Sequence, residues 1–423
     1  MNILLNTPLR GGDVRAIASK SAAHRLLICA ALADAPTRIL CPETSEDILA
    51  TARCLAALGA DIEYNGGVFH VSPIPRPVIG KRTLDCGESG STLRFMLPVA
   101  AALGAESEFI LRGRLPQRPL SPLYEELVAH GCTLSPQGAS PLTLSGQLQG
   151  GAFTISGNVS SQFITGLLLA LSVLEEPSEI AVTGAVESGP YIDMTLRALE
   201  IFGAPSAVQN QVFYVNGRGA FRSPSEVTVE GDWSNAAFWL CAGALLPEDQ
   251  EICVSGLNFG SPQGDRAILN FLRRFGANVR AEGDSVTISR GNLRGIDIDA
   301  ADTPDLVPVL AVVAAGAEGV TTVTRAERLR DKESDRLRAV TEMLSILGAD
   351  IRETRDGLVI NGRPLLKGGT VSSFGDHRIA MAAAVASLIC HGPVTIEGAE
   401  AVNKSYPGFF QDFAALGGTF EEV

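Results

Sequence analysis

Residues 330–337 read RDKESDRL, which places two acids and two bases, Lys332, Glu333, Asp335 and Arg336, close together in a chain that is only 19% charged. On a helix, Asp331–Asp335 and Lys332–Arg336 would be like-charged pairs one turn apart, and such pairs repel. A face kept only for solubility more often alternates its signs. The run therefore suggests that something else, such as an anionic ligand, satisfies these charges. A proton acceptor is offered by Asp302-Thr303-Pro304-Asp305. With Thr303 as cap and Pro304 at the first helical position, Asp305 would sit ionised near the positive end of the helix dipole.

Other helix starts carry groups suited to anions. They read Ser19-Lys20-Ser21, Gly87-Glu88-Ser89-Gly90-Ser91-Thr92, Ser160-Ser161-Gln162 and Gly375-Asp376-His377-Arg378, whereas Gly231-Asp232-Trp233-Ser234-Asn235 reads as ordinary capping. Free N–H groups and the dipole make such termini phosphate cradles, and each alone is equally a plain N-cap. Several of them with added Lys and Arg favour an anion site.

The elements that position these groups repeat. Helical stretches end at Gly59, Gly131, Gly203, Gly276, Gly348 and Gly417, at intervals of 72, 72, 73, 72 and 69 residues. Glycine just past a helix is the expected left-handed cap. After it come alternating segments with hairpin signals such as Asn65-Gly66 and Asp356-Gly357. Each unit also carries an earlier helix, apolar all round, as in FITGLLLALSVL, which must be buried. The pattern predicts six α/β units of about 70 residues, grouped three and three.

The 423 residues imply two or three domains, and the 46% hydrophobic content excludes disorder. A net charge of −13 argues against nucleic acid or an anionic membrane as partner. No signal-peptide pattern opens the chain, and its apolar runs are too short to span a bilayer. The eight cysteines form no CxxC pair and read as small core residues in a reducing cytoplasm, not as disulfides or zinc ligands.

Nine pieces in order then resemble the enolpyruvylshikimate-phosphate (EPSP) synthase family: SKSAAHR, GESGSTLR, QRPL, GNVSSQF, SGPYIDMT, DTPDL, DKESDRL, GDHRIAM and NKSYPGFF. The resemblance implies an α/β fold of six βαβαββ units in two lobes. One lobe would be residues 1–18 plus 230–423 and the other 19–229, with crossings near Ser19 and Val229. It implies transfer of the enolpyruvyl group of phosphoenolpyruvate to the 5-hydroxyl of shikimate 3-phosphate, without metal or organic cofactor, by a cytoplasmic monomer. Shikimate 3-phosphate would be held by Lys20, Ser21, Arg25, Ser160, Ser161, Gln162, Ser188, Tyr191, Asp305 and Lys332. Phosphoenolpyruvate would be held by Lys20, Gly90, Arg118, Gln162, Arg336, His377, Arg378 and Lys404. Asp305 would act as base and Glu333 as the proton donor to carbon, with Lys20 assisting phosphate departure. Asp335 and Asp376 would orient the cations. With the cations divided between the lobes, mutual repulsion would hold an empty cleft apart.

The chain departs from well-known bacterial members at Glu88, Phe95 and Arg328, which puts inhibitor contacts in doubt. The rival with the same fold, a UDP-N-acetylglucosamine enolpyruvyl transferase, typically carries a reactive Cys in its loop, and GRLPQRPL has none. RNA-phosphate cyclases share the repeat unit, but acidity and 6% aromatic content fit RNA poorly. A non-catalytic anion binder would not need Asp305 and Glu333.

Overall fold

The structure, a computed structural model, describes residues 1–7, 9–217, 221–363 and 365–423. The chain divides into two compact units, Lys20–Val229 and a discontinuous one made of Met1–Ser19 with Glu230–Val423.

Each unit holds three four-stranded sheets, and every sheet has one parallel and two antiparallel pairings. In the continuous unit the buried helices are α1 (Lys20–Leu32), α3 (Gly90–Ala102) and α5 (Ser161–Leu171), and they alternate with α2 (Glu46–Leu58), α4 (Leu123–Ala129) and α6 (Gly189–Ile201). In the discontinuous unit the buried helices are α7 (Trp233–Leu245), α9 (Val307–Gly316) and α11 (His377–Ala386), and the half-exposed ones are α8 (Ile268–Phe275), α10 (Arg336–Ile346) and α12 (Phe409–Ala415). Every residue of α7, α9 and α11 is buried, as all-round apolar helices require, and the three pack on one another as the core of their unit.

Strand pairing explains why one unit is discontinuous. Asn2–Thr7 lies antiparallel between Val394–Glu397 and Thr419–Glu422, and Gly12–Arg15 runs parallel to Glu251–Ser255. In exchange, Glu226–Thr228 pairs in parallel with Thr37–Leu40 and completes the first sheet of the continuous unit.

All six repeat glycines have positive φ, from 70° at Gly203 to 112° at Gly59, so each stops its helix in the left-handed region. Six of the eight cysteines are buried and all are free thiols. Among the described residues no helix is long and apolar enough to cross a membrane.

The run 330–337 is not one helix face. Asp331 ends a 3-10 turn, Glu327–Asp331, and Asp335 is the N-cap of α10, whose first residue is Arg336. The expected like-charged pairs of a continuous helix therefore do not form.

The caps differ in their tolerance of a side chain. At Gly59 an added Cβ would lie 3.4 Å from Pro75, an ordinary contact, but at Gly276 it would lie 2.4 Å from the Asn292 carbonyl oxygen. Gly59→Ala is expected to cost about 1–2 kcal/mol from left-handed strain alone, and Gly276→Ala clearly more, by urea denaturation.

Candidate active site

The discontinuous unit gathers its charges around one guanidinium. Arg336 is 2% exposed. Its Nε donates to Asp376 at 2.7 Å, its Nη1 to Asp305 at 2.8 Å, and its Nη2 to Glu333 at 2.8 Å and to Asp376 at 3.2 Å. Arg378 donates to the Asp305 carboxylate and to its backbone carbonyl, both at 3.2 Å, and the Lys332 Nζ lies 3.7 Å from the same carboxylate. Asp376 also accepts from Ser334 and caps α11 through the Arg378 N–H. The cations of this run, Arg330, Lys332 and Arg336, each face carboxylates of the protein.

Two further expectations change. Asp335 orients no site cation; it caps α10 and pairs with Arg330 at 3.0 Å. Thr303 occupies the cap position of the turn Pro304–Leu306 but makes no side-chain cap bond, so Asp305 is held by cations more than by a capped dipole. Burial alone would raise its pKa; Arg378, Lys332 and Arg336 together outweigh burial and hold it well below the usual carboxylate range. Burial pushes the Lys332 ammonium down to about 8, with Arg336 adding to that effect against the pull of Asp305.

Lys404 donates to the Gly375 carbonyl at 2.6 Å, beside the N-terminus of α11. His377, the first residue of that helix, is buried with its Nδ1 3.8 Å from Asp376. Asp265 was not singled out from sequence. It is buried, and its carboxyl is raised to about 6 by burial and by the neighbouring Asp305.

In the continuous unit Lys20 opens α1 and pairs with Asp47, the second residue of α2, at 2.8 Å. Asp47 follows the cap Ser45 and reads as a routine first-turn acid, so its tie to Lys20 is invisible without coordinates. The Arg118 guanidinium lies against Gly90, where an added Cβ would stand 2.5 Å from Nη1. Gln162 accepts from Arg94 at 2.7 Å and donates to Ser91 at 2.9 Å, which links α5 to α3. Arg94 lies inside the GESGSTLR piece and was overlooked because it points back into the fold at 5% exposure.

Arg25 is buried and donates to Thr195, Thr165 and the carbonyls of Ser21 and Tyr191. Four of its five N–H groups are occupied by the protein, so it braces α1 against α5 and α6 before it offers anything to a ligand. Ser160 caps α5, Ser161 is buried behind it, and Ser188 stands at the start of α6 with φ 56°. The departures have places too. Glu88 is exposed with its carboxylate beside Gly113, Phe95 is buried with the Arg25 guanidinium 5.2 Å from its ring centre, and Arg328 donates to the Ala301 carbonyl. Among the described residues no group of His, Cys, Asp and Glu is placed to hold a metal ion.

The sequence profile of the family EPSP synthase (3-phosphoshikimate 1-carboxyvinyltransferase) matches residues 6–413. The chain belongs to the EPSP synthase family. Among its relatives, a 3-phosphoshikimate 1-carboxyvinyltransferase of Clostridium kluyveri is 40% identical over 422 residues, covering 99% of this chain and 98% of that protein. One of Clostridium perfringens strain SM101 is 42% identical over 425 residues, covering 99% of each. The solved EPSP synthase of Acinetobacter baumannii superposes with a TM-score of 0.81 at 26% identity, covering all of both chains. The enolpyruvyl transferase NikO of Streptomyces tendae, 21% identical with a TM-score of 0.79 over 100% of this chain and 98% of that one, shares the fold. The architecture of six small sheets is thus the two-lobed enolpyruvyl transferase fold.

The Gly90–Arg118 contact generates a direct test. In Gly90→Ala the methyl must displace the guanidinium, because the clash at 2.5 Å is to its hydrogen-bonding end. If Arg118 holds phosphoenolpyruvate, as the resemblance implies, loss of one charge-assisted contact should weaken its binding about tenfold or more in titration calorimetry, with the fold retained.

Proposed function

We propose that the chain is a 3-phosphoshikimate 1-carboxyvinyltransferase that moves the enolpyruvyl group of phosphoenolpyruvate onto the 5-hydroxyl of shikimate 3-phosphate and releases phosphate. The observation that carries this reading is the pair Asp305 and Glu333, held 2.8 Å from the two Nη atoms of Arg336 in a chain of this family. Addition followed by elimination needs one group for the hydroxyl proton and another that gives a proton to carbon and takes it back.

Glu333 protonates the methylene carbon of phosphoenolpyruvate. The 5-hydroxyl oxygen bonds to the adjacent carbon and its proton passes to Asp305. The tetrahedral adduct then breaks its carbon–oxygen bond to phosphate, Lys20 protonates the leaving group, and Glu333 recovers a proton from the new methyl. Asp305 then releases its proton to solvent and Lys20 regains one from solvent, so the hydroxyl proton is in effect delivered to phosphate and all three residues are reset.

A base held far below neutral pH accepts protons poorly. The cations responsible, Arg378, Lys332 and Arg336, are those assigned to the substrates. Bound anions share these charges, so Asp305 becomes more basic when substrate is present. In this reading Gly90, Arg118, Gln162, Arg336, Arg378 and Lys404 take phosphoenolpyruvate together with His377, which opens its helix. Lys20, Ser21, Ser160, Ser161, Gln162, Ser188, Tyr191, Asp305 and Lys332 take shikimate 3-phosphate, with Arg25 bracing them. The enzyme works as a monomer, since one chain supplies every proposed contact, and in the cytoplasm, where eight free thiols persist.

The test is phosphate release from phosphoenolpyruvate, which should require shikimate 3-phosphate; release with UDP-N-acetylglucosamine instead would reassign the acceptor. Asp305→Asn should lower kcat ~10²–10⁴-fold, whereas Arg118→Ala should act chiefly on KM for phosphoenolpyruvate.

The Lys332 pKa of about 8 gives a pH test. Below it the side chain is a cation and attracts phosphate; above it that attraction is lost. The kcat/KM for shikimate 3-phosphate reports the free enzyme, so it should fall as pH rises through about 8, and Lys332→Met should flatten that limb.

A further inference from the structure

A buried chain of hydrogen bonds runs beneath the groups just assigned to the substrates. His24 Nδ1 meets Thr51 Oγ1 at 2.7 Å, Thr51 Oγ1 meets Thr92 Oγ1 at 2.7 Å, and Thr92 Oγ1 lies 2.8 Å from the Oγ of Ser89, the N-cap of α3. Thr92 also donates its backbone N–H to Ser89 Oγ and lies 3.5 Å from the Asp47 carbonyl. All four side chains are at most 1% exposed.

The placement is specific. His24 is one turn along α1 from Lys20, and Thr51 one turn along α2 from Asp47, so each pair shares a helix face. The His24–Thr51 contact therefore forms a second rung directly under the Lys20–Asp47 ion pair. Its far end reaches the residue that precedes Gly90. Apolar side chains could fill this space, and a polar chain in a low-dielectric core is retained only at a desolvation cost.

The His24 Nε2 is buried with no hydrogen-bond partner. Burial, with Lys20 and Arg25 nearby, holds the ring neutral at physiological pH. An orphaned buried N–H is rarer than an orphaned acceptor, so the proton belongs on Nδ1. Then Nδ1 donates to Thr51, Thr51 to Thr92 and Thr92 to Ser89, all in one direction.

We propose that His24, Thr51 and Thr92 are positioning residues that lock the first turn of α3, and with it the Gly90–Arg118 anion cradle, in register with Lys20 and Asp47. This rests on the proposed function, in which that cradle holds phosphoenolpyruvate. None of the three touches substrate; they act through Ser89 and the backbone at Gly90.

The test is Thr51→Val, which removes the hydroxyl at nearly constant shape, beside Thr51→Ser, which keeps it. Thr51→Val should raise KM for phosphoenolpyruvate about 5- to 30-fold, the effect of one or two lost hydrogen bonds, with kcat at saturation little changed. Thr51→Ser should restore KM. An unchanged KM in Thr51→Val, or no restoration by a folded Thr51→Ser, overturns the proposal. Nitrogen-15 NMR of the wild-type chain reads the same order without turnover: His24 should be protonated at Nδ1 throughout neutral pH, and protonation at Nε2 also overturns it. A wild-type chain that releases no phosphate while showing the Nδ1 form would instead remove the function reading and leave this order standing.

Discussion

The Arg336 guanidinium is the contact that organises the charged residues of the discontinuous unit. It is almost wholly removed from water and surrounded by three carboxylates, one on each side that a fork of five N–H groups presents. Breaking such a buried pair is far more costly than never having formed it, because the remaining charges keep their desolvation penalty. The geometry of Asp305 and Glu333 is therefore set by the fixed width of a planar cation, not by two independent flexible side chains.

That arrangement also decides how an acidic chain binds polyanions. Arg336, Arg378 and Lys332 already face carboxylates, so in the proposed function an incoming anion exchanges partners with them and need not be drawn to a bare positive surface. In the proposed function, binding and acid–base readiness become one event, because the cations that lower the Asp305 pKa are those assigned to the substrates.

Much of the fold is legible in the glycines. Each of the six positions read as a left-handed cap has positive φ, because a helix that must turn back on itself needs a residue without a Cβ at that point. The all-apolar helices likewise announce their own burial. The site is legible as residue types, and less so as partnerships. RDKESDRL looks like one helix because a 3-10 turn, a bend and a helix start leave no breaker in the string. Asp47 looks like a capping acid and Arg94 like one more cation, since the partner of each lies on another helix. The local string also cannot reveal that Asp376, 40 residues from Arg336, would be its closest acid. His24, Thr51 and Thr92 fall in unremarkable helical positions, and only the packing of α1, α2 and α3 aligns them.

The pairing of Asn2–Thr7 with strands at the opposite end of the chain has a bearing on how the protein is made. Synthesis proceeds from the N-terminus, and domains tend to fold as they emerge. Asn2–Thr7 has to wait for both neighbours, since Val394–Glu397 and Thr419–Glu422 are made far later than it is. The continuous unit can assemble once Glu226–Thr228 is out, whereas Asn2–Thr7 stays unpaired until much later in translation. The discontinuous unit thus completes this sheet only after the continuous unit that lies between its two segments has been made.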